Sequence, residues 1–256
     1  MPELPEVEVM TRNLRSWLGT GAVRLELLDA RLLVGEPPPP LQVQRVWRRA
    51  KYTVIEGAEQ SWVLHFRMTG KVVLDSERPG VRARLHTQDR SLAFVDRRCL
   101  GQLFVARDLD DFFAERRLGP EPYPQPRPGS WWAQRFARKR GPIKPALLDQ
   151  ACVAGLGNIA ASEILHRAGL DPRTPTPELS AEDWERLASA THAFLHEVVA
   201  FESGEEILFL HGDAGADNPF AVYGREGEEV DGGVVRRIVQ AGRSSFFVEG
   251  SAKNTG

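Results

Sequence analysis

Cysteine is nearly absent from this chain of 256 residues: Cys99 and Cys152 are the only two, and none follows residue 152. Two thiols cannot build a disulfide framework or a four-thiolate metal site. Both stand among apolar neighbours, which reads them as small buried hydrophobes. No apolar run approaches the roughly 18 residues of a membrane-spanning helix, and the N-terminus lacks the apolar core of a secretory signal. The expectation is a cytosolic protein with no membrane partner. A large net charge is missing too, at −2, with 42% hydrophobic and 27% charged residues, as in ordinary soluble proteins. The length allows one large or two modest domains.

The charge that is present is unevenly placed. Residues 131–151 carry Arg135, Arg138, Lys139, Arg140 and Lys144 against Asp149, a net +4, whereas residues 178–206 carry eight acids against Arg186, a net −7. One strongly basic segment on an acidic chain suits one-sided engagement of a polyanion, and a solvated charged face is the plainer alternative.

The first six residues, Met1-Pro2-Glu3-Leu4-Pro5-Glu6, are the most informative. Removal of Met1, expected when so small a residue follows, would leave Pro2 with a free secondary amine. An α-amino group titrates at about 7.7–8.0, well below a lysine, so much of it is an uncharged nucleophile at cellular pH. Glu3 and Glu6 stand beside it as proton carriers. The same residues also suit a plain helix start, with proline in the first turn and acids at the positive end. Leu4, Val7, Met10, Leu14, Trp17 and Leu18 continue that helix at apolar spacing.

Short Val-, Leu- and Phe-rich runs follow at 22–34, 43–56, 62–66, 71–75, 82–86, 91–95 and 102–106, the pattern of a β-sandwich or barrel. Residues 108–117 read as a helix, and the prolines between 119 and 130 as a semi-rigid linker. The second half is helical. One helix opens at Gly141-Pro142, one at Asn158 after a glycine-punctuated turn, and a long one after Ser180, with Asp183 at the capping-box position. Residues 221–225, 234–240 and 243–248 return to strand pattern, with Gly232-Gly233 and Gly242 at turns.

Taken in order, Met1–Glu6, Arg49-Ala50-Lys51-Tyr52, His65-Phe66-Arg67-Met68-Thr69-Gly70, Asp96-Arg97-Arg98, Leu118-Gly119-Pro120-Glu121-Pro122, Ile143-Lys144-Pro145, Gly155-Leu156-Gly157-Asn158-Ile159 and Val222-Tyr223-Gly224-Arg225 resemble the formamidopyrimidine-DNA glycosylase/endonuclease VIII family. The resemblance spans nearly the whole chain. It implies an α+β protein: an N-terminal antiparallel β-sandwich with an N-terminal helix (1–118), a proline-rich linker (119–130), a helix–two-turn–helix DNA-binding domain (131–220) and a β-hairpin finger (221–256). It implies a bifunctional glycosylase and abasic-site lyase of base-excision repair, acting as a monomer on damaged DNA in duplex, bubble or single-stranded form, in the cytoplasm and on the nucleoid if the source is bacterial. Pro2 is then the Schiff-base nucleophile, Glu3 and Glu6 move protons, and Lys51 and Arg243 manage phosphate charge during elimination. Met68, Arg98 and Leu100 fill the gap left by an extruded base, and Lys139, Lys144 and Asn158 meet the DNA backbone. A catalytically silent DNA-binding relative is the competing reading; retention of Pro2, Glu3, Glu6 and Lys51 stands against it.

Departures from the family pattern are equally specific. The four-cysteine zinc site is missing, and Val248 stands where a thiolate would, so a metal-free finger without cofactor is implied. Leu100 replaces an aromatic, Cys99 an arginine, and Ala160 a frequent tyrosine. The 210–220 segment is short for a loop that folds over 8-oxoguanine, which turns the expected substrates toward oxidised pyrimidines and ring-opened purines.

Overall fold

A computed structural model describes residues 2–74, 77–204 and 220–249. These divide into two compact units, residues 2–116 with 199–204, and residues 117–198 with 220–249.

The first unit opens with α1 (Leu4–Leu18), capped reciprocally: the Glu3 side chain takes the Glu6 amide, and the Glu3 amide donates to Glu6 Oε2 at 2.8 Å. Leu4, Val7, Met10, Leu14 and Leu18 bury one face, while Trp17 is half-buried. Ten strands follow: β1 (Ala22–Leu27), β2 (Leu33–Val34), β3 (Leu41–Gln42), β4 (Arg45–Arg49), β5 (Tyr52–Glu56), β6 (Ser61–His65), β7 (Lys71–Leu74), β8 (Val81–His86), β9 (Ser91–Val95) and β10 (Gln102–Ala106). They form two five-stranded sheets, in the orders β3-β1-β8-β9-β7 and β2-β10-β6-β5-β4, and every pairing except β2 with β10 is antiparallel. α2 (Leu109–Glu115) lays Leu109, Phe112 and Phe113 on Trp47, Tyr52 and Phe104 of the second sheet.

The strand runs read from sequence divide where hydrogen bonds are diverted. The 22–34 run breaks because the amides of Leu28 and Asp29 both donate to the Arg82 carbonyl at 2.9 Å, after which Asp29 caps a short 3-10 turn. The 43–56 run is two strands, turned at Ala50, whose φ of 52° is left-handed. Position 75, expected to close β7, lies outside the described residues.

The second unit contains α3 (Gly129–Phe136), α4 (Ile143–Leu147), α5 (Asn158–Ala168) and α6 (Ala181–Phe201), whose last residues from Val199 group with the first unit. Its aromatic core stacks Trp132, Phe136 and Trp184 at centroid separations of 6.3 and 5.7 Å. α3 approaches α6 so closely that a Cβ on Gly129 would lie 2.6 Å from the Glu185 amide. The expected capping box of α6 is present, with reciprocal Ser180 and Asp183 bonds of 2.8 and 3.1 Å. The proline-rich stretch is no free tether: Gly119 donates to the Gln150 carbonyl, Ala154 to that of Pro120, and α3 begins inside it.

The chain closes in a three-stranded sheet, β11 (Glu229–Val230), β12 (Gly233–Gln240) and β13 (Arg243–Glu249), one strand more than the expected hairpin. Ala241 and Gly242, at φ 47° and 74°, make the two-residue turn between β12 and β13. The expected strand at 221–225 is instead a turn. Buried Glu163 of α5 gathers its amides, taking Ala221 on Oε2 and Val222 and Tyr223 on Oε1 at 2.8–2.9 Å. A carboxylate that satisfies three amides leaves them nothing to give to a sheet.

Glu163→Ala would strand those amides, at about 1–3 kcal/mol for each buried unsatisfied group. We expect unfolding at markedly lower denaturant and loss of hydrogen-exchange protection at 221–223. Glu163→Gln, which keeps one accepting oxygen, should recover part of both.

Candidate active site

Three polar rungs fasten α1 to the β4–β5 hairpin. Arg15 Nε donates to the Val46 carbonyl at 2.8 Å, the Thr11 and Thr53 hydroxyls meet at 2.6 Å, and Arg48 Nε pairs with Glu8 at 2.8 Å. The Arg15 rung lies at Val46, and the other two, at the paired residues Thr53 and Arg48, lie nearer the turn at Ala50 and Lys51. Each residue of helix adds about 1.5 Å, so the start of α1 is carried to the same end of the sandwich as Lys51.

At that start Pro2, Glu3 and Glu6 are all buried, Glu3 and Glu6 being only 2% and 3% exposed. Burial first, and then the neighbouring Glu3 charge, push the Glu6 carboxyl up to about 7. Glu6 thus exchanges its proton near neutrality, one helical turn from Pro2.

Strand register brings further residues to this end. Tyr52, His65 and Gln102 are paired across β5, β6 and β10, and the connections 66–70 and 96–101 leave the sheet beside them. His65 is pushed down to about 3, by burial first and then by the Arg67 and Lys51 charges. The neutral ring accepts the Arg67 amide on Nδ1 at 3.1 Å. Met68 is half-buried in the first connection; Arg98 is exposed in the second, and Leu100 is 44% exposed. An apolar side chain held out on a loop is available for insertion.

Asp96 underlies both connections. Its fully buried carboxylate accepts the Thr69 hydroxyl and the amides of Arg98, Leu100 and Gly101, the last two at 2.8 and 2.6 Å. Burial works to raise this carboxyl, but those donors outweigh it and hold it below the ordinary range. The Asp96-Arg97-Arg98 motif contains this residue, yet spacing alone gives it no task. Three of those donors are local, but the fourth, Thr69, comes from a different stretch of chain.

The second unit gathers the other expected residues around β13. Lys144, only 1% exposed, donates from Nζ to Asn158 Oδ1 and the Ser244 carbonyl at 2.7 Å and to Ser245 Oγ at 2.9 Å. Asn158 also donates to the Ser244 carbonyl at 2.9 Å. Both residues are thus built into a junction of α4, α5 and β13 rather than displayed on the surface. Arg243, exposed, stands next in sequence. Lys139 is half-exposed and paired with Asp149 at 2.5 Å, which raises its pKa. Gln150, which the sequence did not single out, shapes the two turns. Its side chain donates to the carbonyls of Leu148 and Leu156 and accepts the Gly155 amide.

Val248 packs with Val222 and Val235 in an apolar cluster, a set with no donor for a metal. The cysteines are half-buried, not buried: Cys99 lies 3.6 Å from Arg31 Nη2, and Cys152 donates to Asp149 at 3.6 Å. Both keep polar neighbours because they sit in connections between elements rather than in the core. Two clefts of about 420 and 520 Å³, lined by Arg45, Trp47, Glu56, Gln60 and Arg107 among others, open at the opposite end of the second sheet from Lys51. The 210–219 stretch of the expected short lesion loop falls outside the described residues. Among the described residues no helix is long and apolar enough to cross a membrane.

Comparison with known proteins bears on these clusters. Residues 1–103 match the formamidopyrimidine-DNA glycosylase N-terminal domain, and residues 118–209 match the formamidopyrimidine-DNA glycosylase H2TH domain. The chain is 35% identical over 277 residues to the formamidopyrimidine-DNA glycosylase of Paracoccus denitrificans, covering 96% of this chain and 98% of the relative. It is 37% identical over 292 residues to that of Azorhizobium caulinodans, with the same coverage. Among solved structures it is similar to Lactococcus lactis Fpg in complex with DNA containing an abasic site, with TM-score 0.85, 25% identity and coverage of 96% and 98%. MutM in complex with carbocyclic 8-oxo-G containing DNA gives TM-score 0.84 at 25% identity and the same coverage.

Glu6 and His65 make opposite contributions to stability with pH. Glu6, raised from 4.5 to about 7, stabilises the fold fully below about 4.5 and ceases to do so as pH rises through 7. His65, lowered from 6.5 to about 3, contributes fully above about 6.5 and loses that contribution as pH falls towards 3. Glu6→Gln should abolish the first slope and leave the second, read as unfolding midpoint against pH. In carboxyl-carbon NMR, Glu6 should titrate near 7 and move lower in Glu3→Gln; a midpoint near 4.5 would contradict the role given to burial.

Proposed function

The chain belongs to the formamidopyrimidine-DNA glycosylase family, the DNA glycosylases of base-excision repair, and within it we propose that this protein both releases a damaged base and cuts the strand through a Schiff base on Pro2. The observation that carries the reading is the convergence, at one end of the first unit, of the Pro2–Glu3–Glu6 start of α1, the Lys51 turn and the two connections bearing Met68, Arg98 and Leu100. A binding protein has no need of a buried carboxyl that titrates near neutrality beside its terminus.

With Met1 removed, the Pro2 nitrogen attacks C1′ of the damaged nucleotide. The C1′–N bond to the base breaks as a carbon–nitrogen bond to proline forms, and the departing base takes a proton from Glu3 or Glu6. The attacking nitrogen passes its proton to the ionised carboxylate. The C1′–O4′ bond then opens as the nitrogen lone pair forms the C=N bond and O4′ takes a proton, and the positive charge of the resulting iminium acidifies C2′. Loss of the C2′ proton expels the 3′ phosphate, and a second elimination expels the 5′ phosphate. Lys51 and Arg243 offset the negative charge that develops on the leaving phosphates. Water returns the proline amine at the end. Glu6 suits the proton transfers because its protonated and ionised forms are of similar free energy near pH 7.

Damaged DNA is the partner. Met68 and Leu100 wedge into the stack, and Arg98 hydrogen-bonds the orphaned base. Lys139, Lys144 and Asn158 serve the phosphate backbone, the last two by fixing β13 and with it Arg243. The apolar cluster around Val248 holds the finger in place of a metal. Oxidised pyrimidines and ring-opened purines are the preferred substrates. The shortness of the 210–220 segment in sequence and the buried Ala160, which offers no aromatic ring, both favour them over 8-oxoguanine.

Borohydride should trap a covalent adduct between the wild-type protein and DNA containing an abasic site. Pro2→Gly, and a protein retaining Met1, should lose most of it. Site-specific binding without any adduct would establish the silent DNA-binding relative instead. DNA affinity should fall steeply with salt, as several released counterions require, and a chelator should alter neither folding nor cleavage. A cleavage panel over thymine glycol, dihydrouracil, formamidopyrimidine and 8-oxoguanine tests the substrate order.

A further inference from the structure

We propose that Asp96 is a positioning residue for base extrusion, coupling the Met68 connection to the Arg98–Leu100 connection so that the three wedge residues move as one body. The proposal rests on the wedge reading above and deepens it.

Topology makes the coupling available. β6 and β10 are neighbours in one sheet, β7 and β9 in the other, so the connections β6–β7 and β9–β10 both cross between sheets at the same end, side by side. Neither has backbone hydrogen bonds of a sheet to set its shape. Asp96 supplies them from one fully buried carboxylate. Oδ2 takes the Leu100 and Gly101 amides, which fixes the loop that bears Leu100, and Oδ1 takes the Arg98 amide at 3.2 Å and the Thr69 hydroxyl. Thr69 adjoins Met68, and its hydroxyl also accepts the Arg98 amide at 3.3 Å. The Thr69 hydroxyl thus bridges the two connections, bonded to the Asp96 carboxylate and to the Arg98 amide.

The bridge rests on a firm base. Arg82 of β8, 1% exposed, pairs with Asp29 at 3.0 Å and places Nη1 3.5 Å from both Asp96 Oδ2 and the Gly101 carbonyl. Space is equally restricted: a Cβ on Gly101 would lie 2.8 Å from the Phe94 ring and 3.1 Å from Asp96 Oδ2, and one on Gly70 would lie 2.5 Å from the Phe66 carbonyl oxygen. Insertion into a base stack pushes back on the wedge with the free energy of unstacking, a few kcal/mol per step. Loops held separately would yield one at a time; loops held by one carboxylate share the load.

Thr69→Val removes the bridging hydroxyl at nearly constant volume and leaves the amides on Asp96. On a duplex lesion its single-turnover base release should slow by about ten- to a hundredfold, the range for a lost hydrogen bond to a charged group. A fluorescent base opposite the lesion should lose its signal for gap filling. On a single-stranded abasic site, where no stack must be opened, borohydride trapping should slow far less. Thr69→Ser, which keeps the hydroxyl, should restore the duplex rate, and Asp96→Ala should reproduce the Thr69→Val pattern if it folds. Equal slowing on both substrates, or an unchanged duplex rate in Thr69→Val, would overturn the coupling. Failure of the wild type to trap on abasic DNA would instead remove the enzymatic reading itself.

Discussion

The docking of α1 on the β4–β5 hairpin is the constraint from which the active end of the molecule follows. A chain terminus is ordinarily the least restrained part of a protein. Here a salt bridge, a hydroxyl pair and a guanidinium–carbonyl bond pin successive turns of the first helix, and its apolar face is buried along most of its length. The terminal residues are then held within a turn or two of a fixed point. Reciprocal capping between Glu3 and Glu6 completes the restraint and brings a second carboxylate to the end of the helix. The cost of burying two acids together appears as the raised pKa of Glu6, and the same cost makes that group useful near neutrality.

Elsewhere in the molecule buried charge replaces other kinds of support. Glu163 and Lys144, of opposite sign and on adjacent helices, each bind backbone groups of the C-terminal segment: Glu163 the amides of 221–223, Lys144 the carbonyl of Ser244. A hairpin of this size is marginal by itself. In this chain the valines and the two buried side chains hold it to the helices. Asp96 performs the same service for the loops of the first unit. A single buried ion surrounded by backbone donors imposes shape on a segment that has no repeating hydrogen-bond pattern of its own.

The sequence alone determined the family and the kinds of element. Periodicity located α1, α5 and α6 to within a residue or two, because their caps are local features, and it found most strands of the sandwich. The motifs that carry the family, from Met1–Glu6 to Val222–Arg225, were legible as they stand. What local pattern could not supply was the direction in which side chains would be used. Lys144 and Asn158 match family positions that meet the DNA backbone, and only the fold shows that β13 lies against them and accepts hydrogen bonds from both. Residues 221–225 have strand composition but lie over Glu163, which claims their amides from nearly sixty positions away. α3 escaped notice because Gly129 and the prolines before it read as linker, and only the approach of α6 explains a glycine there. The task of Asp96 depends on sheet order, which brings Thr69 beside Arg98 across a gap of almost thirty residues. Composition and spacing thus decide which chemistry is possible, since they act within a turn or a strand. Which groups are buried together, and so which carboxyl holds a proton and which loop is rigid, was decided by tertiary contact, because those effects depend on distance in space.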